Sequence, residues 1–196
     1  MPDAQVLNAR QKRHQRMRSR ILDNARALVH ENGFEKLSLR AIARRVDYSP
    51  AGLYEYFDGK DAIIDALCEA TDEQLAEAMQ QALENDGELH PLVNLGEAYI
   101  QFALDNPDDF QLLFRRPLYD QESKAVLLIA EQVSESVDMG EFIPGFDFDE
   151  QEITHSIWAL AHGIAMLGLT RQSYHRPEDI NSHREMLQHL ISGLRS

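Results

Sequence analysis

The chain is poor in what several chemistries require. It holds one cysteine, Cys68, among 196 residues. No internal disulfide can form, and a reducing compartment, the cytoplasm, is expected. Cys68 reads as a small apolar residue on a helix, with a redox switch as the alternative. Long hydrophobic runs are missing too. The longest, Ile157 to Leu169, contains His162 and falls short of the roughly 20 residues a membrane-spanning helix needs. It reads as a buried core helix, and no membrane partner is expected. The opening Met1-Pro2-Asp3-Ala4-Gln5 lacks the charged-then-apolar layout of a signal peptide. Strand-like alternation, internal repeats, low-complexity tracts and a Gly-rich phosphate loop are all absent, as is a cysteine paired with a base.

One hint of metal chemistry remains. Glu152-Ile153-Thr154-His155 puts a carboxylate and an imidazole on one helix face, as in carboxylate-bridged metal bundles. Those bundles need a second such pair and two further inward carboxylates, and no second copy exists in this chain. His155 and His162 share a face, but two ligands do not make a site. A helical metal-carboxylate enzyme is thus the remote alternative; no metal, cofactor or catalytic residue is expected.

What is present is a lopsided charge. The chain has 19 Lys/Arg against 33 Asp/Glu, a net of −14, which taken alone argues against a nucleic-acid partner. Residues 1–60 carry 12 Lys/Arg against 7 Asp/Glu, so the acidity belongs entirely to residues 61–196. A basic block on an acidic body lets one end meet phosphate while the other avoids it. Between Arg10 and Arg20 lie six Lys/Arg and no acid. Such a segment either follows DNA phosphates or the minor groove, or is the solvated, frayed end of a helix. Residues 1–14 are polar and expected to be disordered.

Helical periodicity runs through the rest. A first helix spans about Gln15 to Asn32 with Ile21, Ala25, Leu28 and Val29 as its buried stripe, and Gly33 ends it. In Ser38 to Lys60, Leu39, Ile42, Ala43 and Val46 recur at i, i+3, i+4, i+7 behind the N-cap Ser38. Asp47-Tyr48 breaks the pattern; Ser49 caps a second, very short helix with Pro50 at its first position. Asp58 is placed to cap the next one, about Gly59 to Leu83. Two short helices around a tight turn make either a helix-turn-helix, whose second helix enters the major groove, or an αα-corner joining core helices. Asn85-Asp86-Gly87 is the clearest break. Further helices are expected at about Leu89–Asp105, from Asn106 to Pro117, Gln121–Val137, Glu150–Gln172 and Pro177–Leu194, with Met139–Asp149 as a loop.

The residues Gly33-Phe34, Leu39, Ile42-Ala43, Val46, Ser49-Pro50-Ala51-Gly52-Leu53-Tyr54-Glu55-Tyr56-Phe57 and Lys60, with Ile21 to Leu28 ahead of them, resemble the N-terminal domain of the TetR family of transcriptional regulators. Farther on, Tyr99 to Phe110 and Trp158-Ala159-Leu160-Ala161-His162-Gly163 are similar to the WHG-type C-terminal domain of one branch of that family. The resemblance implies an all-α chain of about nine helices. Residues 1–60 would form the arm and the three-helix helix-turn-helix DNA-binding domain; residues 61–196 would form a helical effector-binding and dimerisation domain. It also implies a dimeric, usually repressing regulator of a palindromic operator, responsive to an unidentified small molecule. The homodimer would form through the eighth and ninth helices, and the same apolar excess on Glu150–Gln172 asks for a second subunit on physical grounds. An activator or an accessory TetR-like binding module is the alternative.

Expected DNA-binding residues are Ser38, Arg40, Arg45, Tyr48, Ser49, Ala51, Gly52, Tyr54, Tyr56 and Lys60. Ala51 and Gly52 let the backbone approach the groove, and Ala51 is small enough to meet a thymine methyl. Matching family positions assign Tyr54, Tyr56 and Lys60 mostly to phosphates, contacts that set register without reading sequence. Leu53 and Phe57 read as core. An apolar effector pocket would draw on Tyr99, Phe102, Phe110, Phe114, Trp158, His162 and Met166, with His162 as its polar group.

Overall fold

In the computed structural model, which describes residues 8–84, 89–114, 123–142, 149–170 and 180–194, the first helix opens on a capping box. Asn8 Oδ1 accepts from the backbone N–H groups of Arg10 and Gln11, at 3.0 and 2.9 Å, and Gln11 Oε1 accepts from Asn8 N at 2.8 Å. Those bonds satisfy N–H groups that a helix start otherwise leaves open. Helix α1 therefore runs Ala9–Asn32, and the expectation of disorder over residues 1–14 is corrected from residue 8 onward; residues 1–7 lie outside the description.

Gly33, at φ +79°, turns the chain out of α1 into a single 3-10 turn, Phe34–Lys36. Helix α2, Leu39–Arg45, is capped by Ser38, whose Oγ accepts from Ala41 N at 3.2 Å. The second helix of the expected pair is a 3-10 helix, Pro50–Glu55. Helix α3, Lys60–Leu83, follows. Its first turn starts from Gly59, whose carbonyl accepts from Ile63 N at 3.4 Å, where Asp58 was the expected cap. Ile21, Ala25, Val29, Leu37, Ile42, Ala43, Val46, Leu53, Phe57, Ile63, Ile64 and Leu67 are buried, each large apolar one contributing about 1.5–3 kcal/mol relative to exposure. The periodicity named most of them.

The chain divides into two compact units, Met1–Ala70 and Thr71–Ser196. In the second, α4 (Pro91–Asp105) packs against α5 (Pro107–Leu113), α6 (Lys124–Asp138), α7 (Glu150–Leu169) and α8 (Ile180–Leu194), and α7 packs on α6 and α8 as well. The starts of α4, α6 and α7 each have a polar device. His90 Nδ1 accepts from Leu92 N at 3.2 Å and its Nε2 lies 2.8 Å from Glu141, joining the start of α4 to the residues after α6. Asp72 of α3 accepts from Ser123 Oγ at 2.6 Å and from Lys124 N at 2.8 Å, capping α6 from 51 residues away. Asp149 and Glu152 form a capping box on α7. Arg184 of α8 donates through two nitrogens to Glu97 of α4, at 2.5 and 3.0 Å.

Among the described residues there is no β-strand, and no helix is long and apolar enough to cross a membrane. The expected turn at Asn85-Asp86-Gly87, the stop at Pro117, most of the loop between Met139 and Asp149, and residues 171–179 lie outside the described residues.

Candidate nucleic-acid interface and effector site

Asp47 holds the turn of the helix pair. It sits at φ +59°, a left-handed conformation that Asp tolerates better than most residues. The reversal lets Tyr48 N donate to Ala43 O at 2.9 Å, and Arg20 of α1 lies 3.7 Å from the Asp47 carboxylate. Ser49 Oγ then accepts from Gly52 N at 3.0 Å, so the short helix leaves with its N-terminus satisfied. It buries Leu53 and turns Ala51 and Tyr54 outward, with Tyr54 58% exposed.

At the other end of that helix, α1 reaches in. Arg18 Nη1 donates to the Tyr56 carbonyl, and its guanidinium lies 4.1 Å from the centre of the Phe57 ring. His14 Nε2 is 3.3 Å from the Glu55 carbonyl, and the His14 ring tilts against Tyr56 at 4.8 Å. Two side chains thus hold carbonyls that end the short helix. Tyr56 stands edge-on to Tyr48 at 6.1 Å, and the hydrogen bond between their hydroxyls is the main cause raising the Tyr56 pKa to about 12. His14 and Arg18 were missed as site residues; their four-residue spacing on the basic run of α1 is the signal that finds them.

The remaining expected DNA residues are spread over this face. Ser38 and Ser49 serve first as caps. Arg40 is exposed. Arg45 is engaged: its guanidinium makes two 2.5 Å hydrogen bonds to Glu31 of α1, which lower the Glu31 pKa and raise that of Arg45. Lys60 is half-buried, its Nζ 5.1 Å from the centre of the Phe34 ring.

In the second unit, four of the expected effector residues gather round a fifth, His162. Its ring lies 4.4 Å from Phe114, 5.6 Å from Trp158 in a stacked arrangement, 5.9 Å from Phe110 and 6.3 Å from Tyr99. Tyr99 and Phe110 meet edge to face at 5.3 Å, a geometry that aromatic quadrupoles favour. Burial pushes the Tyr99 hydroxyl pKa up and the His162 pKa down. Phe102 and Met166 are half-buried on α4 and α7, and Phe102 makes none of these ring contacts among the described residues. His155, set aside as a ligand, packs its ring 5.7 Å from Trp158.

Glu152 Oε2 accepts from Asp149 N at 2.9 Å, so the carboxylate of the Glu-x-x-His pair belongs to the start of α7. Among the described residues no three His, Cys, Asp or Glu stand together as a metal would require. Cys68 is half-buried, and burial raises its thiol pKa to about 11, away from the range in which thiolates react.

Residues 21–67 match the family described as bacterial regulatory proteins, tetR family. Residues 92–194 match the tetracyclin repressor-like C-terminal domain, a description other than the WHG one expected from Trp158, His162 and Gly163. The chain is 23% identical over 177 residues to the uncharacterized HTH-type transcriptional regulator YobS of Bacillus subtilis, covering 89% of this chain and 90% of that one. It is 35% identical over 92 residues to the HTH-type transcriptional regulator UidR of Escherichia coli, 44% of this chain and 47% of that protein. A solved structure of a protein with unknown function from Rhodococcus sp. RHA1 superposes with a TM-score of 0.74 at 25% identity, over 92% of this chain and 96% of that one.

Proposed function

Since the chain belongs to the TetR family of bacterial regulatory proteins, we propose that this DNA-binding transcriptional regulator works as an effector-responsive, dimeric repressor in the cytoplasm. The observation that carries the DNA end is the 3-10 helix Pro50–Glu55, capped by Ser49 and offering Ala51 and Tyr54 to solvent. Tyr48, Tyr54, Tyr56 and Lys60 set the register on phosphates, while Ala51 and Gly52 allow close approach to base edges. One such short helix grips weakly. A dimer through α7 and α8, on which Leu167 and Met186 are 49% and 37% exposed, offers two copies to half-sites about one helical turn, or somewhat more, apart.

The effector reading rests on the rings around His162: an apolar wall with one polar chain of groups suits a small apolar or aromatic compound. Binding there would favour the DNA-released form, because a ligand shifts an equilibrium only through its different affinity for two states.

A gel shift against DNA flanking the protein's own gene tests the first half. Tyr54→Ala and Lys60→Ala should weaken binding to every sequence; complexes indifferent to both changes would sink the helix-turn-helix assignment. A transcriptional reporter on the same DNA tests the second. Its output should rise when the regulator is deleted, and a fall would make the protein an activator.

A further inference from the structure

The arginines of α1 are arranged, not merely numerous. Arg10, Arg13, Arg16 and Arg20 line one wall of a groove of about 540 Å³. Tyr48 and Tyr56 line it as well, with Glu55 the one carboxylate among its lining residues. Arg10, Arg13 and Arg16 have no carboxylate partner among the described residues. Cations crowded on one face repel one another, and an anion laid in the groove relieves that repulsion.

We propose that the N-terminal half of α1 is a second DNA-contacting surface, a track for the sugar-phosphate backbone flanking the bases met by Pro50–Glu55. The proposal deepens the DNA-binding reading above and rests on it. Three observations choose the occupant. The segment is helical from Ala9, so it presents charge at fixed spacing and does not thread into the minor groove as an extended arm. From Arg10 to Arg20 is about 15 Å along the helix axis, against one phosphate per about 3.4 Å of duplex on each strand, a span of roughly four phosphates. The track is also continuous with the candidate reading helix: Tyr48 precedes its Ser49 cap, and His14 and Arg18 fasten α1 to its last carbonyls. Tyr48, 38% exposed and lining the groove, adds a hydroxyl to that track. His14 and Arg18 are positioning residues; the other arginines carry the contact.

The test uses the full chain, a random-sequence 30-base-pair duplex, and fluorescence anisotropy over a range of KCl concentrations. The triple variant Arg10→Gln, Arg13→Gln, Arg16→Gln should flatten the plot of log affinity against log salt by about 2–3 units, near 0.9 per lost phosphate contact. Lys12 is basic as well but sits about 120° round the helix from the middle of the groove, so Lys12→Gln should leave the slope in place. The triple variant keeping the wild-type slope would overturn the proposal, as would Lys12→Gln flattening it as much as one arginine does. A wild type that binds no duplex even at low salt would instead defeat the DNA-binding reading itself, so the two failures are told apart.

Discussion

The Tyr99 hydroxyl lies 3.0 Å from Nδ1 of His162. It also accepts from the indole N–H of Trp158 at 3.3 Å. With one lone pair so engaged and the tyrosine buried, its own hydrogen goes to Nδ1. That bond makes His162 a neutral imidazole with its hydrogen on Nε2. Three residues from α4 and α7 are thereby set in one orientation by two hydrogen bonds. Tyr99→Phe tests the arrangement: the ring still meets Phe110, but Trp158 Nε1 and His162 Nδ1 lose a partner. A cost of about 1–2 kcal/mol is expected, or a melting temperature lower by about 2–8 °C for a chain of this size. An unchanged melting curve would show that the hydroxyl does not hold the cluster.

The same arrangement gives stability a dependence on pH with a definite sign. Burial holds His162 below the ordinary histidine value, near 6.5. Between those two values the unfolded chain binds a proton that the folded cluster refuses. The contribution of His162 is therefore complete above about 6.5 and declines as pH falls toward the depressed folded value. The other seven of the eight histidines are common to wild type and variant, so His162→Gln isolates the effect. Urea midpoints measured from pH 8 to pH 5 should fall more steeply for wild type than for His162→Gln. Parallel lines would mean that His162 takes its proton as readily folded as unfolded.

Much of this was legible because it is local. Ser38, Ser49 and Pro50 mark helix starts within three residues of the groups they serve, and Ile21, Ala25 and Val29 repeat at the period of one face. The start of α1 was local too, Asn8 and Gln11 being three apart. It was overlooked because the basic run from Arg10 to Arg20 lacks the apolar stripe by which a helix is recognised. The rest depends on contacts between distant positions. Asp72 caps α6 across 51 residues, and Arg18 reaches Tyr56 across 38; no periodicity carries such pairings. Arg45 is expected from the sequence as a DNA contact, and its pairing with Glu31 is invisible there for the same reason, since Glu31 is 14 positions away. Among the aromatics, spacing placed Phe102 on the inward side of α4, and only the packing of α5 selected Phe110 and Phe114 to meet His162.

At the candidate DNA face, Gly52 makes the room Tyr48 occupies. A Cβ added there would lie 3.2 Å from Tyr48 Cδ1 and 3.3 Å from Ser49 Oγ. Gly52→Ala must therefore displace the Tyr48 ring or loosen the cap, against a smaller gain from removing a flexible glycine. Roughly 1 kcal/mol of net strain corresponds to about fivefold weaker binding. The prediction is a loss of that order in a gel shift, because the displaced ring must return to its place in the complex, with a melting temperature lower by at most about 2–4 °C. Equal affinity would show that the position of Tyr48 does not matter to the complex.

Gly96 sets how closely α4 and α8 approach. A Cβ at Gly96 would stand 2.8 and 2.9 Å from the two methyls of Leu187, which is fully buried, so the leucine or the whole of α8 has to move. Gly96→Ala should cost about 1–3 kcal/mol as an overpacked core. Gly163 of α7 is the control, because a Cβ there meets nothing within 4 Å. Gly163→Ala should be neutral or stabilising by up to about 1 kcal/mol, the usual handicap of glycine inside a helix. The cause is separable from a propensity effect by a double variant: Leu187→Val shortens the side chain that the new methyl strikes, so Gly96→Ala with Leu187→Val should be more stable than Gly96→Ala alone. If α8 forms part of the dimer face, the single variant should also weaken self-association in sedimentation velocity, and the double variant should restore it. A Gly96→Ala protein as stable as wild type would mean that α8 slides away without cost, and that this close approach fixes nothing.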